Sequence, residues 1–108
     1  MSYGQRTSCA SLSMRQAAQA LEHDKTIRLI DVRTILEYRS GHLPNSIHLP
    51  LDRIDQITER IPDRDERIFV YCHSGARSQA ACQRLAALGY TDVTNIGGII
   101  QWPGKIEF

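Results

Sequence analysis

Long apolar runs, paired cysteines and blocks of one charge are all missing from this sequence, and each absence removes a class of protein. No stretch approaches the roughly 20 apolar residues of a membrane span, and the polar opening from Met1 to Met14 lacks the apolar run of a secretory signal. No membrane is expected as a partner, and the cytoplasm is the expected location. The 13 basic and 12 acidic residues are dispersed without a basic block, for a net charge of +1 and a pI near 7.8. Neither nucleic acid nor an anionic surface is therefore an expected partner. Cys9, Cys72 and Cys82 form an odd set with no C-x-x-C spacing, which argues against a disulfide framework and against a zinc site. At least one of them is expected as a free thiol. Internal repeats and low-complexity segments are absent too.

What remains is ordinary globular composition, 42% hydrophobic and 23% charged, in a length of 108 residues that suits one domain spanning 1–108. Short apolar strands alternate with segments of helical spacing, the pattern of an α/β layer architecture. Ser13 with Gln16 three residues on reads as a helix start, followed by Met14, Ala17, Ala18 and Leu21 on one face and an end near His23. Ile27 to Val32 reads as a buried strand, and Thr34 starts a short helix that stops at Ser40-Gly41. Pro44 and Pro50 bracket a short strand at Ser46 to Leu49. Leu51, Ile54, Ile57 and Ile61 predict a third helix ending at Pro62. After a polar loop from Asp63 to Arg67, Ile68 to Tyr71 is the most strand-like tetrad of the chain, with Cys72 at its C-terminal end. Ala81, Cys82, Leu85 and Leu88 then form a helical stripe closed by Gly89. Asp92 to Ile96 is expected as the last strand, ending before Gly97-Gly98, with a final turn from Ile99 to Trp102 cut off by Pro103.

The chemistry concentrates where Cys72 leaves its strand and His73-Ser74-Gly75-Ala76-Arg77 leads directly into a helix. A loop that wraps a helix N-terminus beyond the carboxyl end of a strand turns unpaired backbone N–H groups inward. Those donors, the helix dipole and Arg77 favour thiolate over thiol at Cys72. Gly75 supplies the freedom in φ that a tight cradle requires, and Ser74 offers a hydroxyl donor. Cys82 lies on the apolar stripe and reads as an inert core residue, too far along the helix to resolve Cys72; Cys9 falls in a first strand or its approach. Arg33 with Glu37, or Asp31 with backbone donors, reads as structural pairing, and His42 and Trp102 as packing and turn residues, the edge of the site being the alternative place for Trp102.

Cys72-His73-Ser74-Gly75-Ala76-Arg77 resembles the active-site loop of the rhodanese family, with His73 where that family often has arginine. Leu29-Ile30-Asp31-Val32-Arg33, Glu37-Tyr38 and Gly41-His42-Leu43-Pro44-Asn45-Ser46-Ile47 resemble its Asp-Val-Arg and Gly-His-Ile segments, and Gly97-Gly98-Ile99 with Trp102 its C-terminal signature. The resemblance implies a five-stranded parallel sheet with helices on both faces and transfer of sulfane sulfur through a persulfide on Cys72. His73, Ser74, Gly75, Ala76 and Arg77 would form the substrate pocket, with no metal and no organic cofactor. The implied partners are a small sulfur donor such as thiosulfate and a thiol, protein or cyanide-like acceptor. A sulfur-relay or binding module without efficient turnover is the alternative.

Phosphatase and arsenate reductase relatives use a C-x5-R cradle, whereas position 78 here is Ser and the spacing is C-x4-R. One residue fewer draws the donors inward, away from where a tetrahedral oxyanion would sit. Aryl phosphate hydrolysis should therefore be undetectable in a chromogenic assay, and Cys72-dependent turnover of such an ester would contradict this reading.

Overall fold

The computed structural model describes residues 9–108, so Met1 to Ser8 of the polar opening lies outside it. Five strands form one sheet in the order β1-β5-β4-β2-β3, with every neighbouring pair parallel. They are β1 (Ala10–Ser11), β2 (Arg28–Asp31), β3 (Ile47–His48), β4 (Ile68–Cys72) and β5 (Val93–Gly98). Helices α1 (Met14–His23), α2 (Ile35–Arg39), α3 (Ile57–Arg60) and α4 (Ala76–Ala87) connect them.

Helix starts follow local chemistry. Ser13 accepts from the Gln16 N–H while the Gln16 side chain accepts from the Ser13 N–H, a reciprocal capping box, and Thr34 with Glu37 repeats it at α2. Gly89 ends α4 with φ of +100°, the left-handed position expected of it.

Side chains leave successive strand residues on opposite faces, and both faces are covered. Leu29, Phe69, Tyr71 and Ile96 pack with Met14 and Ala17 of α1. On the other face Ile30, Val70 and Cys72 pack with Ile54, Ile57 and Leu85. That double burial is why β4 reads as an unbroken apolar run, Ile-Phe-Val-Tyr-Cys, instead of an alternating one. It also fixes the direction of Cys72, which points to the α4 side.

Two expectations need correction. The third helix is a 3-10 segment over Leu51–Gln56 followed by the single-turn α3, with Arg53 at non-helical φ −124°. Leu51, Ile54 and Ile57 are three residues apart, and three residues per turn put them on one side of a 3-10 helix; only the step from Ile57 to Ile61 has α spacing. The last strand does not stop at Ile96. It continues through Gly97 and Gly98, which pair with Tyr71 and Cys72 after a register shift that bulges Ile96 out of the ladder.

Chain order reverses between β2 and β4, since β2 is followed outward by β3 and β4 by β5 on the other side. The carboxyl edge at such a reversal opens a crevice, because the connections leave it in opposite directions. Cys72 lies at that edge.

Candidate active site

Cys72 closes β4 and is 1% exposed. The Gly75 N–H donates to its Sγ at 3.0 Å, and the Ser78 Oγ lies 3.5 Å from it. Gly75 adopts φ of +111° and ψ of −15° as the residue capping α4, a conformation that costs a residue with a Cβ more than it costs glycine. Burial by itself raises the Cys72 thiol. The Ser78 hydroxyl and the backbone N–H groups of Ser78, Gly75 and Ser74 outweigh that burial and hold it below the ordinary thiol range. A thiolate in this position is a nucleophile at neutral pH.

Arg77, at the start of α4, braces the loop against α2. Its two terminal nitrogens donate to Glu37 Oε1 and Oε2 at 2.7 and 2.8 Å, a bidentate pair across the crevice from α4 to α2. The Arg77 guanidinium, with the two Thr34 donors of the capping box, holds the Glu37 carboxyl far below the usual carboxylate range. Glu37 is thus claimed by Arg77, and Arg33 pairs instead with Asp31 through Nε and Nη2 and donates to the Gly41 carbonyl at 2.7 Å. Asp31 also accepts the Arg33 backbone N–H, as expected of it.

His73, Ser74 and Ala76 are exposed on the rim. The hydroxyl that reaches Sγ belongs to Ser78, and Ser74 contributes through its backbone. Beside the loop, Val32, Ile35, Pro50, Leu51, Arg53 and Arg77 line a cleft of about 850 Å³. Trp102 lies elsewhere, packed on the α1 side with its Nε1 donating to the Lys105 carbonyl, in a cleft that none of the loop residues lines. Burial and the neighbouring Cys9 push the fully buried Cys82 thiol up, in keeping with an inert core residue. Cys9 precedes β1 and places its Sγ 3.7 Å from Gln79 Oε1. Among the described residues no group of three or more His, Cys, Asp or Glu side chains is arranged to hold a metal ion.

Four residues of this arrangement are missing from the sequence reading as site residues: Glu37, Ser78, Asn95 and Gly98. Ser78 carried a readable signal, since it extends the buried stripe of Ala81, Cys82 and Leu85 by one turn and is the only polar member of it. Asn95 on β5 accepts from the Ser78 Oγ at 2.7 Å and the Gly97 N–H at 2.9 Å, and donates to the Gly75 carbonyl at 3.2 Å. Gly98 packs flat against the loop. A Cβ there would overlap the His73 carbonyl oxygen and come within 2.5 Å of the Ser74 Cα.

A parallel five-stranded α/β sheet with a cysteine in a backbone N–H cradle at its central carboxyl edge defines a class of loop-thiolate proteins. Within that class the chain belongs to the rhodanese-like family, whose domain model matches residues 13–105. It is 40% identical over 86 residues to a protein of Allochromatium vinosum named sulfurtransferase, covering 79% of each chain. It is 32% identical over 102 residues to the putative sulfur carrier protein YrkF of Bacillus subtilis, spanning 94% of this chain but 55% of that relative's length. A solved rhodanese with anions from E. coli is 32% identical and superposes with a TM-score of 0.71 over 75% of this chain and 96% of that one.

Gly98→Ala should push the loop off the strand and withdraw donors from Sγ. Losing one hydrogen bond to a charged group is worth roughly ten- to a hundredfold in an equilibrium. Iodoacetamide alkylation of Cys72 at neutral pH should slow by about that factor, while wild-type reactivity in a folded variant would show that the close contact is not what aims the donors.

Proposed function

We propose that the chain works as one rhodanese-like unit and transfers sulfane sulfur through a persulfide on Cys72, taking it from thiosulfate or another persulfide and passing it to a thiol, protein or cyanide-like acceptor. The observation that carries the reading is the Gly75 N–H aimed at Sγ from 3.0 Å. A donor at that distance stabilises negative charge on a buried sulfur.

In the first half-reaction the Cys72 thiolate attacks the outer sulfur of the donor. With thiosulfate, a new S–S bond forms, the S–S bond of the donor breaks, and its electron pair leaves with sulfite. The loop from His73 to Arg77 surrounds the position of the added sulfur. Its backbone donors suit the terminal sulfur of a persulfide, and neither a metal nor an organic cofactor is called for. In the second half-reaction an acceptor thiolate attacks that terminal sulfur and Cys72 leaves as thiolate.

The sulfur-relay reading gains support from one feature. Arg77 is neutralised by Glu37, so the rim offers a doubly charged donor such as thiosulfate less attraction than a free arginine would. A singly charged protein persulfide is less affected. Three unpaired cysteines suit a reducing compartment such as the cytoplasm, and among the described residues no helix is long and apolar enough to cross a membrane.

Intact-mass spectrometry after incubation with thiosulfate, and separately with a persulfide donor, should show one added sulfur atom that Cys72→Ser abolishes. An adduct mapping to Cys9 or Cys82 would sink the proposal. Loading by the persulfide alone would select the relay.

A further inference from the structure

The Ser78 hydroxyl carries one proton and has three acceptors in reach: Asn95 Oδ1 at 2.7 Å, the Gly75 carbonyl at 3.0 Å and Cys72 Sγ at 3.5 Å. Ser78 is fully buried, so the proton belongs to one of these. The Asn95 amide is not free to flip. The Gly97 N–H requires an oxygen at one end, and the Gly75 carbonyl requires a nitrogen at the other. Oδ1 therefore faces Ser78 and takes its proton at the shortest of the three distances.

Turning that proton away leaves no buried group unpaired. Oδ1 keeps the Gly97 N–H at 2.9 Å, and the Gly75 carbonyl keeps the Gln79 N–H at 3.1 Å and the Asn95 amide. Every other donor to Oδ1 or to the Gly75 carbonyl is a backbone N–H or a planar amide, so the Ser78 hydroxyl is the one rotor at those acceptors.

We propose that Ser78 is a catalytic residue for release of sulfur: its proton rests on Asn95 while Sγ is uncharged and turns to Sγ as that atom becomes a leaving thiolate, with Asn95 the positioning residue. The inference rests on the persulfide reading given above. In Cys72–Sγ–S–H the inner sulfur is bonded to two atoms and carries no charge. An acceptor thiolate R–S⁻ attacks the outer sulfur, the Sγ–S bond breaks, and its electron pair stays on Sγ, giving R–S–S–H and Cys72–S⁻ with no external oxidant or reductant. The charge arrives 3.5 Å from the hydroxyl. A bond from O–H to an anion is stronger than one to a neutral amide, so the proton follows the charge. In the loading direction the same bond stabilises the attacking thiolate, a ground state, and gives no acceleration. The hydroxyl thus assists discharge and not loading.

The test is single-turnover kinetics on wild type, Ser78→Ala and Asn95→Asp, loading with thiosulfate or an alkyl persulfide and discharging to dithiothreitol, alongside the pH profile of Cys72 alkylation. Ser78→Ala removes the donor, and the carboxylate of Asn95→Asp holds its proton away from sulfur. In Ser78→Ala, discharge should slow roughly ten- to a hundredfold, loading on the alkaline plateau should be no slower than in wild type, and the alkylation midpoint should rise by about one pH unit or more. Asn95→Asp should move discharge and midpoint in the same directions. Wild-type discharge by Ser78→Ala, or equal slowing of loading and discharge, overturns the proposal by showing that the hydroxyl only shapes the loop. A wild type that forms no persulfide from any donor defeats the persulfide reading instead, and the alkylation midpoint of Ser78→Ala still reports whether the hydroxyl serves the thiolate.

Discussion

Cys72 is buried at the end of a central strand, and burial alone would keep its sulfur protonated and inert. What reverses this is the Ser78 hydroxyl together with backbone N–H groups, those of Ser78 in the first turn of α4, of Gly75 at 3.0 Å and of Ser74 in the loop. Backbone donors lose little entropy when they act, because the fold has already ordered them, and in a dry site they are worth more than the same bonds in water. The reactive character of the site is therefore a property of chain path more than of any charged side chain.

The rest of the structure holds that path. Gly75 takes the left-handed turn that aims its N–H inward. Gly98 lets β5 lie against the His73–Ser74 backbone without a Cβ between them, and the bulge at Ile96 shifts β5 into the register that places Gly98 beside Cys72. Asn95 ties β5 to the Gly75 carbonyl. Across the crevice, the Glu37 and Arg77 pair joins the segments following β2 and β4, the two strands between which chain order reverses. Partly exposed on both sides, this pair is screened by solvent, so its contribution to orientation matters more than its contribution to stability.

The sequence made the fold legible wherever one local rule dominated. The capping box at Ser13, the helix start at Thr34, the apolar run of β4 and the glycine after α4 all stand in the structure as expected. It was less legible where the signal depended on tertiary context. The strand through Gly97 and Gly98 looked like a break because glycine usually ends strands, yet here its missing side chain is what the packing of loop against strand requires. The 3-10 segment is readable from the spacing of Leu51, Ile54 and Ile57, but α geometry is the commoner one for an apolar repeat of that length. Within the site, the cradle and its Gly75 were visible from the strand-loop-helix order. Glu37 as the partner of Arg77 was not, because 40 residues separate them and only the sheet order brings them together. Asn95 was hidden for the same reason, whereas Ser78 was readable as the polar member of the buried stripe of α4.

The central claim is that hydrogen bonds at Sγ outweigh burial and hold the Cys72 thiol below its ordinary value. Its most direct test is a titration of thiolate ultraviolet absorbance in Cys9→Ser/Cys82→Ser, where Cys72 is the one remaining thiol. The account predicts a midpoint below the ordinary thiol value of about 8.5, lost in Cys72→Ser. A midpoint at or above that value would mean that desolvation prevails and that the cradle does not activate the sulfur.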